Sequence, residues 1–178
     1  MQKKKHTMFG LYDSTFEKSS CGVGFITRKD SKQTHELLLK GHEALCAVPH
    51  RGGMSSEGVG DGAGVSVDLS IEFFSHITNE KLRPGEFGVG NFFMPKDPKQ
   101  HPLAHKLIQR VLDDVGLVLL VKRDIGVDNT VLRPIALKYQ LPIVQWIFLG
   151  PEEANGTELE KLIHKALLLV EAKAYTTP

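Results

Sequence analysis

The sequence predicts an α and β domain in layers. Three observations carry this. Short apolar stretches of strand character alternate with stretches of helical spacing along most of the chain. Residues 98–116 place Leu103, Leu107, Ile108, Val111 and Leu112 on one side of a 3.6-residue repeat. "LPIVQWIFLG" is a short, almost uninterrupted apolar run of strand length.

Taken in order, residues 1–20 show no clear period. "CGVGFITR", Cys21 to Arg28, reads as a strand whose glycines suggest close approach of another backbone. Ser31 to Val48 reads as a helix with Leu37, Leu38, Leu45 and Val48 inward, Ser31 as N-cap and Pro49 as terminator. A glycine-rich loop, "PHRGGMSSEGVGDGAG", covers Pro49 to Gly64. "VSVDLS" alternates as a strand does, "SIEFFSHITNEKL" reads as a short helix, and "EFGVGNFFMP" is a strand closed by Pro95. The helix from Pro98 ends at Gly116, a natural C-cap. "LVLLVKRDIGV" and "LPIVQWIFLG" are buried strands. Thr157 to Ala174 is a helix with Leu159, Leu162, Ile163, Ala166, Leu167 and Val170 on its inner face. The three "GVG" triplets are unevenly spaced and make no repeat.

The totals remove several function classes. The 178 residues suffice for one domain with a real core, and 41% hydrophobic with 24% charged residues is ordinary globular composition. A formal net charge of +1 gives no electrostatic case for nucleic acid or an anionic membrane. Lys3 to Lys5 are too few charges to hold phosphate and read as a solvated terminus. No apolar run reaches the ~20 residues that a membrane helix needs. Two cysteines cannot build a disulfide framework, which suits a reducing compartment; a cytoplasmic protein is expected.

Three chemistries compete in the remaining motifs. Gly58 to Ala63 fits G-x-G-x-x-A, yet a loop precedes it and a strand follows, the reverse of what a dinucleotide site needs. His42, Cys46 and His50 are spaced i, i+4, i+8 and could share a helical face as metal ligands. Pro49 interrupts that helix and no fourth ligand is evident, so Cys46 reads as a buried helix cysteine and no metal is expected. Cys21 is either a small core residue or a nucleophile behind a removable leader.

The company Cys21 keeps favours the second. Cys21-Gly22-Val23-Gly24-Phe25-Ile26, then His50-Arg51-Gly52, then Gly60-Asp61-Gly62-Ala63-Gly64 closely resemble the start of class II glutamine amidotransferases. The nearest match is the N-terminal domain of the glutamate synthase large subunit. "GLYDSTFEKSS" is similar to the short propeptide of that family. Resemblance is strongest from Leu11 to Phe93 and looser beyond.

The resemblance implies an α+β, N-terminal nucleophile hydrolase-type αββα sandwich: two stacked sheets between helical layers, with Cys21 leading an inner strand. Residues 1–20 would be a leader and 21–178 the front portion of the domain. A thiol with a pKa of about 8.5 needs a base, and a free α-amine titrating near ~8 supplies one. Cleavage before Cys21 would put nucleophile and base on one residue. Arg51 would help organise the substrate site; pairing with a carboxylate such as Asp61 to pin the loop is an equally good reading and compatible with the first. His50, Gly22, Gly52, Gly60, Asp61 and Gly62 are expected to shape the backbone near the site.

The family's later Arg-Phe-Ser-Thr and Asn-Gly-Glu stretches, the second of which supplies the oxyanion hole, have no match between Phe93 and Pro178. Ala154-Asn155-Gly156 reads as a turn and helix cap. The expected partners are therefore glutamine and a protein that supplies the absent segments. A subunit that keeps the fold without the activity is the alternative. Flavin and an iron–sulfur cluster are expected only on other domains of the resembled enzyme; none is expected in this chain.

Overall fold

The computed structural model describes residues 22–47 and 62–176. The chain divides into two compact units, residues 1–68 and 69–178.

In the first unit the one regular element among the described residues is helix α1, His35–Ala47. It starts later than the spacing predicts. Ser31 takes a left-handed φ of 54° and so cannot cap it. Thr34 does instead: the Leu37 N–H donates to its Oγ1 at 3.3 Å. The half-buried face runs Leu37, Gly41, Leu45, and Leu38 turns outward. Gly41 faces Val65, whose Cγ1 lies 3.4 Å from where a Cβ on residue 41 would sit. The two strands expected in this unit are not formed. Residues 22–28 and 65–70 pair with nothing among the described residues, and Val23 and Phe25 are 97% and 92% exposed. An apolar stretch has strand propensity, but a strand exists only where a second backbone satisfies its N–H and C=O groups.

The second unit is built around a three-stranded antiparallel sheet: β1 (Phe87–Phe93), β2 (Val118–Asp124) and β3 (Ile143–Leu149), in the order β1-β3-β2. β3 lies between the other two, so both of its edges are paired, and helices cover both of its faces, as its nearly unbroken apolar run requires. On one face Val144, Trp146 and Phe148 pack with Ile108, Val111 and Leu112 of α3 (His101–Val115) and Leu159 and Ala166 of α5 (Thr157–Thr176). On the other, Ile147 and Phe87 meet Phe74 of α2 (Ile71–Thr78). The unit is thus helix, sheet, helix, with the larger core on the α3–α5 side.

Local signals explain the boundaries. Ser70 caps α2, its hydroxyl accepting from the Phe73 N–H at 3.3 Å, and Asn79 ends the helix in the left-handed region. A 3-10 turn at Pro98–Gln100, capped by Asp97, leads into α3, and Gly116 closes it at φ 80°. A six-residue helix, α4 (Pro134–Tyr139), was not expected; at that length no period can be read, and Pro134 at its first turn is the only cue. Two expectations about burial change. β2 is a half-exposed edge strand rather than a buried one, with a register irregularity between Leu119 and Val121. On α5, Leu169 packs against the core while Leu167 is half exposed.

One row of the sheet is polar. Asn91, Gln145 and Arg123 stand opposite one another in the register. Gln145 Nε2 donates to Asn91 Oδ1, and Arg123 Nε donates to Gln145 Oε1, both at 2.9 Å. The Arg123 guanidinium also lies 5.4 Å from the centre of the Phe73 ring.

Candidate active site

Of the predicted site residues, Cys21, His50, Arg51, Gly52, Gly60 and Asp61 lie outside the described residues; Gly22 and Gly62 lie within. Gly22 is exposed at the head of the irregular stretch 22–28. Gly62 has a φ of 93°, and a Cβ there would touch nothing. The demand for glycine in "GDGAG" at this position is therefore one of backbone conformation and not of space.

The stretch that follows Cys21 ends in a tight turn. Arg28 grips Asp30 through two bonds, Nε to Oδ1 at 2.8 Å and Nη2 to Oδ2 at 2.7 Å, and the Ser31 N–H donates to the Arg28 carbonyl at 3.2 Å. The Arg28 guanidinium, helped by the Lys32 N–H, holds the Asp30 carboxyl below the usual carboxylate range. Both side chains are solvated, so the pair shapes the chain more than it stabilises it.

Cys46 is exposed, which corrects the expectation of a buried helix cysteine. It follows Leu45, the last residue of the packed face of α1, and one residue advances about 100° around a helix. Its Sγ lies 3.9 Å from His42 Nδ1, the neighbour four residues earlier. The third member of the predicted trio, His50, is outside the described residues. Among the described residues no three His, Cys, Asp or Glu side chains come together in a way that could hold a metal ion.

Asn155-Gly156 forms the turn before α5, as its sequence suggests: the Glu158 N–H donates to the Asn155 carbonyl at 3.2 Å. The turn also docks on a residue that sequence reasoning passed over. The Gly156 N–H donates to the Gly85 carbonyl at 2.9 Å, and Gly85 itself has a φ of 78°. The signal available was the Pro84-Gly85 dipeptide, which marks a turn.

A second chemically distinct cluster lies on the α3 side of the sheet. The His105 ring stacks on Trp146 with centroids 5.6 Å apart and planes 11° from parallel. Lys122 Nζ lies 5.7 Å from the centre of the same indole. His105 Nδ1 and Trp146 Nε1 are both buried without a hydrogen-bond partner among the described residues. Burial, then the charges of Lys122 and His101, push the His105 pKa below its ordinary value, against a smaller opposite pull from Asp124. No helix among the described residues is long and apolar enough to cross a membrane.

Comparison with known proteins bears on both units. The sequence pattern of the class II glutamine amidotransferases matches residues 21–176, running well past Phe93. The NADH glutamate synthase of Saccharomyces cerevisiae is 33% identical over 145 residues, covering 76% of this chain and 7% of that protein. The large chain of the NADPH glutamate synthase of Bacillus subtilis is 33% identical over 144 residues, 79% of this chain and 9% of that protein. Ferredoxin-dependent glutamate synthase 2 of Synechocystis is 32% identical over 162 residues, 88% of this chain and 10% of that protein. The chain spans a tenth or less of the length of these relatives.

Proposed function

Because the chain belongs to the class II glutamine amidotransferases, and is similar there to the large subunit of glutamate synthase, we propose that it carries the glutaminase half-reaction, with Cys21 as nucleophile. The observation that carries this reading is where the family match begins: at Cys21, the residue that removal of residues 1–20 would make a terminus.

The chemistry follows from that position. Hydrolysis of the Ser20–Cys21 bond replaces a non-basic peptide nitrogen with an amine that titrates near ~8. The amine takes the thiol proton, and the sulfur attacks the side-chain carbonyl carbon of glutamine. Collapse of the tetrahedral adduct breaks the C–N bond, the proton passes to the leaving nitrogen, and ammonia departs. Water then attacks the γ-glutamyl thioester, releasing glutamate and restoring the thiol. Arg51 organises the substrate site, while Gly22, His50, Gly52 and Gly60 to Gly62 shape the backbone around it. Oxyanion donors, worth roughly 3–4 kcal/mol each where tested, come from outside residues 93–178, where the family's downstream stretches have no counterpart. Flavin and iron–sulfur chemistry falls to other domains. The second reading is a subunit that retains the fold and serves assembly or regulation.

Intact mass and labelling separate the two. Loss of residues 1–20 on expression, followed by labelling with a glutamine-analogue electrophile that Cys21→Ala abolishes and Cys46→Ala does not, is the expected result. Labelling that survives Cys21→Ala overturns the assignment. A full-length chain that stays uncut and unlabelled supports the second reading.

A further inference from the structure

Trp146 is the only tryptophan of the chain, and three other elements meet β3 at its indole. The side chain is 1% exposed. His105 of α3 stacks on it in near-parallel contact. Phe92 of β1 meets it at a steep angle, with centroids 5.8 Å apart. Lys122 of β2 is its partner in the strand register and places Nζ 5.7 Å from its centre.

This surrounding suits one charge state of the imidazole. A neutral ring lies on an indole as one flat apolar surface on another. An imidazolium is also drawn to an indole face, but Lys122 already supplies that indole with a cation, so a second one adds like charge. The imidazolium carries an N–H on each ring nitrogen. Nδ1 of His105 is buried with no hydrogen-bond partner among the described residues, so a proton there meets no acceptor. The groups whose charge acts on the ring are His101, one turn earlier on α3, and Lys122 and Asp124 of β2. β1 and β3 carry no charged side chain. Burial first, then Lys122 and His101, hold the His105 pKa below its ordinary value, and Asp124 opposes them weakly.

The stack can open without the helix. His105 is only half-buried, so a rotation about χ1 carries its ring to water. Other contacts keep α3 in place. His101 Nε2 lies 2.7 Å from the Pro95 carbonyl oxygen; a carbonyl only accepts, so Nε2 donates, in the neutral and the charged ring alike. Ile108, Val111 and Leu112 stay in the core. We propose that the His105–Trp146 stack is an acid-operated latch: the neutral imidazole rests on the indole, and the imidazolium leaves it for solvent while α3 stays docked. Opening bares the indole surface that His105 covers. The proposal rests on the second unit alone and is independent of the chemistry assigned to Cys21.

The test is a titration of the full chain without denaturant, from about pH 8 to about pH 5, a range that spans ordinary imidazole protonation. NMR follows the His105 ring carbons, the ring-to-ring cross-relaxation between His105 and Trp146, and the α3 amides; fluorescence follows Trp146. Loss of the cross-relaxation in step with His105 protonation is expected, with a fluorescence change at the same midpoint and the amides of Ile108 to Leu112 still native. Lys122→Met should move that midpoint to higher pH. His105→Phe keeps an aromatic ring and cannot take the proton, so its fluorescence should be flat over the range. If His105→Phe does not fold, His105→Gln is read for the same flat profile. The proposal is overturned if cross-relaxation persists once His105 is protonated, if α3 unfolds before or together with the loss of the stack, if the fluorescence change survives replacement of His105, or if Lys122→Met leaves the midpoint unmoved.

Discussion

Gly85 and Gly156 meet backbone to backbone: the Gly156 N–H donates to the Gly85 carbonyl at 2.9 Å, and a Cβ on Gly85 would lie 2.9 Å from that same nitrogen. Neither atom belongs to a flexible side chain, so neither can give way cheaply. Gly85→Ala combines this clash with a left-handed φ, which alone costs roughly 1–2 kcal/mol. Gly116→Ala carries only the second cost, because nothing lies near its added carbon. Urea unfolding of the two variants should therefore rank them, with Gly85→Ala lower by the clash alone, about 1–3 kcal/mol.

The row across the sheet gives a second expectation. Gln145 is buried, and both ends of its amide are used. Gln145→Leu keeps the volume but removes both bonds; Asn91 is exposed and Arg123 half-buried, so water can take the vacated place, and the cost should be about 0.5–1.5 kcal/mol per bond. A double-mutant cycle with Asn91→Ala should show coupling of at least ~0.5 kcal/mol, as neighbours in one network do. Additive effects would mean that the row is not a network.

Stability of the second unit should fall in mild acid. His105 has a folded pKa below its ordinary value. Between that pKa and about 6.5 the unfolded chain therefore binds a proton that the folded chain does not. Stability is full above about pH 6.5, falls as pH drops through that window, and levels off below the folded pKa. His105→Gln should flatten the curve of denaturation midpoint against pH between about 5 and 7. An unchanged slope would show that other groups set it.

Leu112 and Leu167 test the assignment of faces. Leu112 is 2% exposed in the α3–α5 core, and Leu112→Ala should cost about 2–5 kcal/mol. Leu167 is half exposed in the chain alone, and Leu167→Ala should stay within ~0.5 kcal/mol. The contrast is readable in thermal melts.

Much of the second unit was legible because its residues report their surroundings. Gln145 apart, residues 143–149 are apolar without alternation because both faces of β3 are covered. Ser70 and Gly116 mark helix ends because unpaired backbone groups there need a side-chain acceptor or a left-handed turn. Residues 22–28 misled for the complementary reason. Their propensity is for a strand, but a strand is a relation between two backbones, and the sequence of one cannot show that the other is present. Of the candidate site, the motifs around Cys21, Arg51 and Asp61 were legible as a family signature, whereas the packing of Gly85 on Gly156 joins residues 71 positions apart and left only a turn signal behind.

The sequence by itself determined family membership and, α4 apart, the helices and strands of residues 71–176 within a few positions. These follow from local side-chain chemistry and from the order of motifs along the chain. The tertiary structure alone decided the order β1-β3-β2, the polar row through Gln145 and the outward turn of Leu167. Each of those depends on which distant backbone comes alongside, and hydrogen bonds across a sheet are settled by proximity in space and not by neighbourhood in sequence.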